Sequence, residues 1–269
     1  MIELFDHDRH EENRRSSKGN QLKWRTGEFW YKADYLGYEG LAEYVVSCLL
    51  AHSDLPSDMF VLYDTEEILY KKQTFTGCRS RHFLQPGEQL ITLERLFFQH
   101  YGRSLYRAIF DIREEADRFA FLAEQTEKIT GLSDFGRYLC ILMETDAFFL
   151  NEDRHTHNIA VIMNEKEEYR LCPAFDYGGS LLSDTRIEYP MEGDIPELIR
   201  DVRAKTISSS FENQVDTAEA VCGQNLRFSF RKKDVEDLLQ QDSLYPAEVK
   251  KRVRDVLFHQ MRKYAYLFR

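Results

Sequence analysis

The stretch Phe149-Leu150-Asn151-Glu152-Asp153-Arg154-His155-Thr156-His157-Asn158 crowds acids, histidines, amides and an arginine together, then runs straight into the apolar segment Ile159-Ala160-Val161-Ile162. A surface loop has little reason to concentrate such side chains between a helix and a buried strand, so their convergence marks a candidate site. The competing explanation is that Asp153 and Asn158 cap local turns, as both residue types often do. A second acid stands in a matching setting: in Tyr169-Arg170-Leu171-Cys172-Pro173-Ala174-Phe175-Asp176-Tyr177-Gly178-Gly179 a short strand ends, Asp176 follows, and glycines release the backbone. Two neighbouring strand ends would set Asp176 beside Asn158. Mg²⁺ takes hard oxygen ligands, few of them from protein, so one carboxylate and one amide oxygen make a suitable pair. His155 and His157 with Asp153 and Asp176 also suggest a metallohydrolase. Histidines two apart in a loop, with no further histidine or carboxylate motif, make a poor two-metal cage.

These residues must be positioned by the elements around them. Gln21 to Arg25 and Glu28 to Asp34 are expected to be two strands of a hairpin about Thr26-Gly27, with Trp24, Phe29, Trp30 and Tyr31 supplying strand-forming bulk. Leu41, Val45, Cys48 and Leu49 follow helical spacing within 39–52, and strand character returns at 59–63 and 68–75. The charged first fifteen residues are expected to form a solvated arm. Beyond Leu90 the periodicity predicts helices over 93–100, 114–130, 134–149, 195–203, 211–221 and 247–268, with short apolar strands at 159–163 and 169–172. The expected division is therefore 1–90, a small sheet with one helix, and 91–269, mainly helical.

Composition narrows the function classes. A hydrophobic fraction of 43% over 269 residues suffices for a substantial core. Lysine and arginine number 36 against 46 aspartate and glutamate, a formal charge of −10, so non-specific attraction to nucleic acid or anionic lipid is not expected. The five cysteines form no C-x-x-C pair and are expected to be reduced, mostly buried thiols. No apolar run approaches the ~18 residues of a membrane span, and the N-terminus does not resemble a signal peptide. A cytoplasmic location is expected.

Asp153-x-x-x-x-Asn158, a strand pair and then Asp176-Tyr177-Gly178 resemble the catalytic and metal-binding loops of protein kinases. More closely, Asn151-Glu152-Asp153-Arg154-His155-Thr156-His157-Asn158 with Cys172-Pro173-Ala174-Phe175-Asp176 resembles the HipA-like serine/threonine kinases, whose pattern is Asp-x-His-x-x-Asn and then Pro-x-aromatic-Asp. The resemblance extends from about Ser16 to the C-terminus and is most specific at these two loops.

The resemblance implies an α+β, bilobal protein-kinase-like fold with a small antiparallel-sheet N-lobe, a mainly helical C-lobe and ATP in the cleft. It casts Lys32 as the strand lysine on the ATP phosphates and Glu43 as its helix partner, with Glu39, one turn earlier, as a substitute. Ser16, Ser17, Lys18, Gly19, Asn20 and Gln21 correspond to the phosphate-covering loop, and Ser16 and Ser17 are candidates for autophosphorylation. Asn158 and Asp176 would hold Mg²⁺, and Asp153 would orient or deprotonate the acceptor hydroxyl. His155 would either donate to the transferred phosphate or pin the loop, while His157 replaces a lysine common in relatives. The implied activity is Mg-ATP-dependent transfer to a protein serine or threonine, with a toxin role restrained by a DNA-binding antitoxin and no direct nucleic-acid or membrane contact by this chain. A small-molecule phosphotransferase of aminoglycoside type and a catalytically silent kinase-fold binding module are the alternatives.

Overall fold

The computed structural model describes residues 1–9 and 21–268. They form two compact units. Unit 1 comprises Met1–His82, Asp176–Val202 and Arg227–Arg269, and unit 2 comprises Phe83–Phe175 and Arg203–Leu226. Unit 1 thus takes in two segments from later in the chain.

Unit 1 is built on a five-stranded sheet. Its strands are β1 (Ile2–Leu4), β2 (Lys23–Thr26), β3 (Phe29–Ala33), β4 (Tyr63–Tyr70) and β5 (Gln73–Arg81), in the order β1-β4-β5-β3-β2. The β2–β3 hairpin forms as expected but turns one residue later, at Gly27-Glu28, with Thr26 paired to Phe29 and Gly27 at φ +57°. Two expectations fail. The first residues are not wholly a solvated arm, because β1 pairs parallel with β4 and buries Leu4, giving the sheet one parallel pair. The third and fourth expected strands, at 59–63 and 68–75, lie later than expected, since β4 and β5 join through Lys71 and Lys72 at φ 50° and 65°. Two-residue hairpins favour such backbone conformations, usually with Asn or Gly, and lysines give no warning of one. Trp24, Tyr31, Ile68 and Tyr70 fill one face, Trp24 meeting Tyr70 edge-on at 5.1 Å between ring centroids.

Helix α1 (Glu39–Leu50) packs on β4 and β5. Its close approach needs glycine at position 40, where a Cβ would come within 2.5 Å of the Gly77 carbonyl carbon; Gly77 itself is required by its neighbour β3, since a Cβ there would lie 2.1 Å from the Lys32 carbonyl oxygen.

Unit 2 carries a three-stranded antiparallel sheet, β6-β7-β8, from Gln89–Thr92, Ala160–Met163 and Tyr169–Leu171. Its helices are α2 (Leu93–Tyr101), α3 (Leu105–Phe110), α4 (Glu115–Thr130) and α5 (Phe135–Phe149), with α7 (Phe211–Cys222) packing against α5; the intervening α6 (Ile195–Asp201) belongs to unit 1. Unit 1 also holds α8 (Lys232–Gln241) and α9 (Ala247–Lys263). Helix α5 is buried at nearly every position, as its apolar sequence demands. All five cysteines are free thiols, and no helix among the described residues is long and apolar enough to cross a membrane.

Candidate active site

In unit 1, β3 presents Lys32 and α1 presents Glu43. The Lys32 ammonium donates to Glu43 Oε1 at 2.6 Å and to Asp176 Oδ1 at 2.7 Å. The second Glu43 oxygen accepts from the Tyr177 backbone N–H at 2.8 Å, so this carboxylate fixes both the lysine and the chain just after Asp176. Burial opposes the charge on Lys32, but Asp176 and Glu43 outweigh it and hold the ammonium well above its usual pKa. Burial pushes Glu43 upward against the pull of Lys32. Asp176 itself has φ 62°, a left-handed conformation that aspartate tolerates better than most residues and that fixed sites often retain.

Glu39 does not substitute for Glu43. Its carboxylate accepts from the backbone N–H groups of Tyr35, Leu36 and Gly37 at 2.6–3.2 Å, securing the turn into α1. Asp34 holds the same turn, accepting from Gly40 N, Thr76 Oγ1 and Tyr245 Oη at 2.6–2.8 Å. The segment after Asp176-Tyr177-Gly178 returns to α1: Tyr38 N donates to the Ser183 carbonyl at 3.2 Å, and Thr185 N donates to that of Leu36 at 3.1 Å.

In unit 2 the polar loop begins where α5 ends in a left-handed residue, Leu150 at φ 57°. Arg154 organises it from within. Its guanidinium pairs with the buried Asp146 and donates to the carbonyls of Asn158 and Phe175, each at 2.8 Å. Thr156 donates to Glu94 Oε2, and Glu94 also accepts from the Leu105 and Tyr106 amides, which ties the loop to α2 and the start of α3. Burial would raise the Glu94 pKa, but hydrogen bonds from the Ser104 side chain, the Tyr106 amide and Thr156 lower it overall.

On this frame Asn158 Nδ2 donates to the Asp153 carbonyl at 2.8 Å and lies 3.4 Å from Asp153 Oδ2. Two cationic or donor groups approach the other Asp153 oxygen at 3.8 Å, His155 Nε2 and Lys205 Nζ. His155 Nδ1 accepts from the His157 N–H at 3.3 Å, and the two rings meet edge to face.

The structure therefore assembles Lys32, Glu43 and Asp176 in unit 1, and Asp153, His155 and Asn158 in unit 2. Gln21 lies half-buried just before β2, whereas Ser16, Ser17, Lys18, Gly19 and Asn20 lie outside the described residues. Sequence reasoning passed over Asp146, Arg154, Glu94 and Lys205. Asp146 carried a usable signal, a charge among the apolar residues that close the 134–149 helix; Lys205 carried none. Among the described residues no group of three or more histidine, cysteine, aspartate or glutamate side chains could hold a metal ion.

The chain resembles the Helicobacter pylori proinflammatory kinase CtkA with a TM-score of 0.60 at 14% identity, over 97% of this chain and 95% of that one. The fold is that of the HipA-like kinases. HipA of Shewanella oneidensis MR-1, solved with HipB and operator DNA, matches with a TM-score of 0.50 at 13% identity, over 90% of this chain and 60% of its own. No protein-family model and no curated protein matches the sequence.

Proposed function

We propose that this chain is a Mg-ATP-dependent phosphotransferase, a HipA-like serine/threonine protein kinase. The observation that carries the reading is the Lys32 ammonium, held at 2.6 Å by Glu43 and at 2.7 Å by Asp176. A lysine fixed by a helix carboxylate is a preset positive charge that suits phosphate oxygens without further reorganisation.

The donor set fits Mg-ATP. Asp176 offers a carboxylate, and Asn158, with its N–H committed to the Asp153 carbonyl, offers Oδ1. Few protein ligands suit Mg²⁺, which keeps waters and phosphate oxygens for its remaining positions. Bound ATP would supply the transferable phosphoryl group, with Mg²⁺ offsetting its charge. Lys32 then binds phosphate oxygens, Glu43 keeps the lysine oriented, and Asp153 orients the acceptor hydroxyl and receives its proton. His155, whose Nε2 lies 3.8 Å from Asp153 Oδ1, is proposed to donate to the transferred phosphate. Ser16, Ser17, Lys18, Gly19, Asn20 and Gln21 are proposed to cover the phosphates, with Ser16 or Ser17 as autophosphorylation sites.

The acceptor is proposed to be a protein serine or threonine, and the compartment the cytoplasm. The HipA structure holds HipB and operator DNA. On that likeness of fold, a toxin role with a DNA-binding antitoxin as partner is proposed here. The deciding experiment measures binding and transfer together. Mg-ATP should raise the melting temperature, EDTA should remove most of the shift, and labelled phosphate should appear on protein serine or threonine. Strong stabilisation by divalent metal without nucleotide would favour a hydrolase instead. Transfer confined to small hydroxyl compounds would replace the protein acceptor.

A further inference from the structure

We propose that Lys205 is a further catalytic residue, a cation that offsets negative charge beside Asp153 on the acceptor side of the reaction. This deepens the kinase reading and rests on it. Lys205 Nζ lies 3.8 Å from Asp153 Oδ1, the oxygen that His155 Nε2 also approaches at 3.8 Å.

Its backbone is held firmly. The neighbouring Thr206 is buried and donates from Oγ1 to the Arg154 carbonyl at 2.6 Å, anchoring this segment to the loop that carries Asp153. On the other side Ala204 N donates to the Ser209 carbonyl at 3.1 Å. Ile207 N donates to Gln214 Oε1 at 3.1 Å, while the Ile207 carbonyl accepts from Arg118 at 2.9 Å. The polypeptide is thus fixed on both sides of a half-exposed lysine whose ion pair is long. A pair of that length and exposure adds little to stability, so fold energetics alone do not explain why the lysine is delivered there.

Chemistry supplies a reason. As the acceptor oxygen–phosphorus bond forms, the phosphorus–oxygen bond to the leaving ADP breaks with its electron pair on the ADP oxygen, and the hydroxyl proton passes to Asp153. A phosphoryl group arriving beside a carboxylate meets like charge, and an ammonium on a flexible stem can bridge the two.

The test uses the full chain with Lys205→Met and Lys205→Arg. Transfer to casein and Mg-ATP affinity by calorimetry are measured together with melting temperature. Lys205→Met should lower kcat on the order of 10²-fold, as removal of a charge-stabilising donor does, while leaving ATP affinity and melting temperature unchanged. Lys205→Arg should recover part of the rate. Parental turnover in Lys205→Met would overturn the inference, as would equal loss in both variants accompanied by a fall in melting temperature. If the unaltered chain binds no Mg-ATP, the kinase reading falls and takes this inference with it. If it binds and transfers but ignores the substitutions, only this inference falls.

Discussion

Arg154, only 2% exposed, sets its Nε 3.0 Å from Oδ2 of the fully buried Asp146 and turns Nη1 to the carbonyls of Asn158 and Phe175. One buried cation thereby ties the end of the polar loop to the residue preceding Asp176. The local backbone positions of Asn158 and Phe175 are thus set from the core side.

Removing Asp146 should therefore be costly. Asp146→Ala leaves a buried guanidinium without its carboxylate and removes an acceptor of Asn151 Nδ2. Loss of one partner of a buried pair costs about 3–5 kcal/mol. Chemical denaturation should show a loss of that order, whereas substitution of the exposed Arg186 should leave stability nearly unchanged.

Lys32→Met should abolish most turnover, by on the order of 10²–10³ if the ammonium acts as a preset stabiliser of phosphate charge. Glu43→Gln should be milder, because glutamine Oε1 can still accept from Tyr177 N–H while the lysine loses one of its two anchors. ATP titrations of both variants with matched turnover assays check the order. Equal activity of Lys32→Met and the parent would remove Lys32 from the site.

Asp34 gives a pH signature. Burial first, and then the nearby Glu39 charge, raise its pKa to about 7 despite hydrogen bonds from Tyr245, Gly40 and Thr76. The ordinary value of the group is 3.8, so between these values the folded chain holds a proton that the unfolded chain has released. Stability from this group is then present at acid pH and lost as pH rises toward and through 7. Asp34→Asn should flatten that part of the profile, since the amide keeps an acceptor for Gly40 N while the Thr76 and Tyr245 hydroxyls can accept from its Nδ2. Denaturation of parent and variant at pH 5 and pH 8 measures the difference. A parental slope equal to that of Asp34→Asn would refute it.

Much of this architecture was legible where apolar periodicity is strong. Helix α1, helices α4 and α5 and the β2–β3 hairpin fall close to their expected positions. The β4–β5 turn was hidden because Lys71 and Lys72 adopt positive φ without the usual residues, and α8 because Lys232–Gln241 is mostly charged and polar. At the site, Asp153, Asn158 and Asp176 were visible through spacing. Glu39 and Glu43 stand one helical turn apart, and tertiary contacts distinguish them: the backbone amides of Tyr35, Leu36 and Gly37 engage Glu39, while Lys32 and the Tyr177 N–H engage Glu43. The Arg154–Asp146 pair depends on the reversal at Leu150, and the approach of Lys205 depends on tertiary folding, which no local pattern encodes.

The last prediction separates a base from metal ligands. Asp153→Asn should keep Mg-ATP binding and lose turnover by about 10² to 10⁴, the range of general-base catalysis, because the variant retains an amide of similar shape but cannot take the hydroxyl proton. Asp176→Asn removes the charged ligand proposed for Mg²⁺ and one of the two carboxylates on Lys32. It should weaken metal-dependent ATP binding as well as abolish transfer. Asn158→Ala removes the neutral ligand proposed for Mg²⁺ and the hydrogen bond to the Asp153 carbonyl, so its binding defect should be smaller while turnover still falls. Calorimetric titration of the three variants with ATP, with and without Mg²⁺, reads the difference directly. Loss of metal-dependent binding in Asp153→Asn with retention in Asp176→Asn would reverse the two roles. Full transfer by all three would place the chemistry elsewhere.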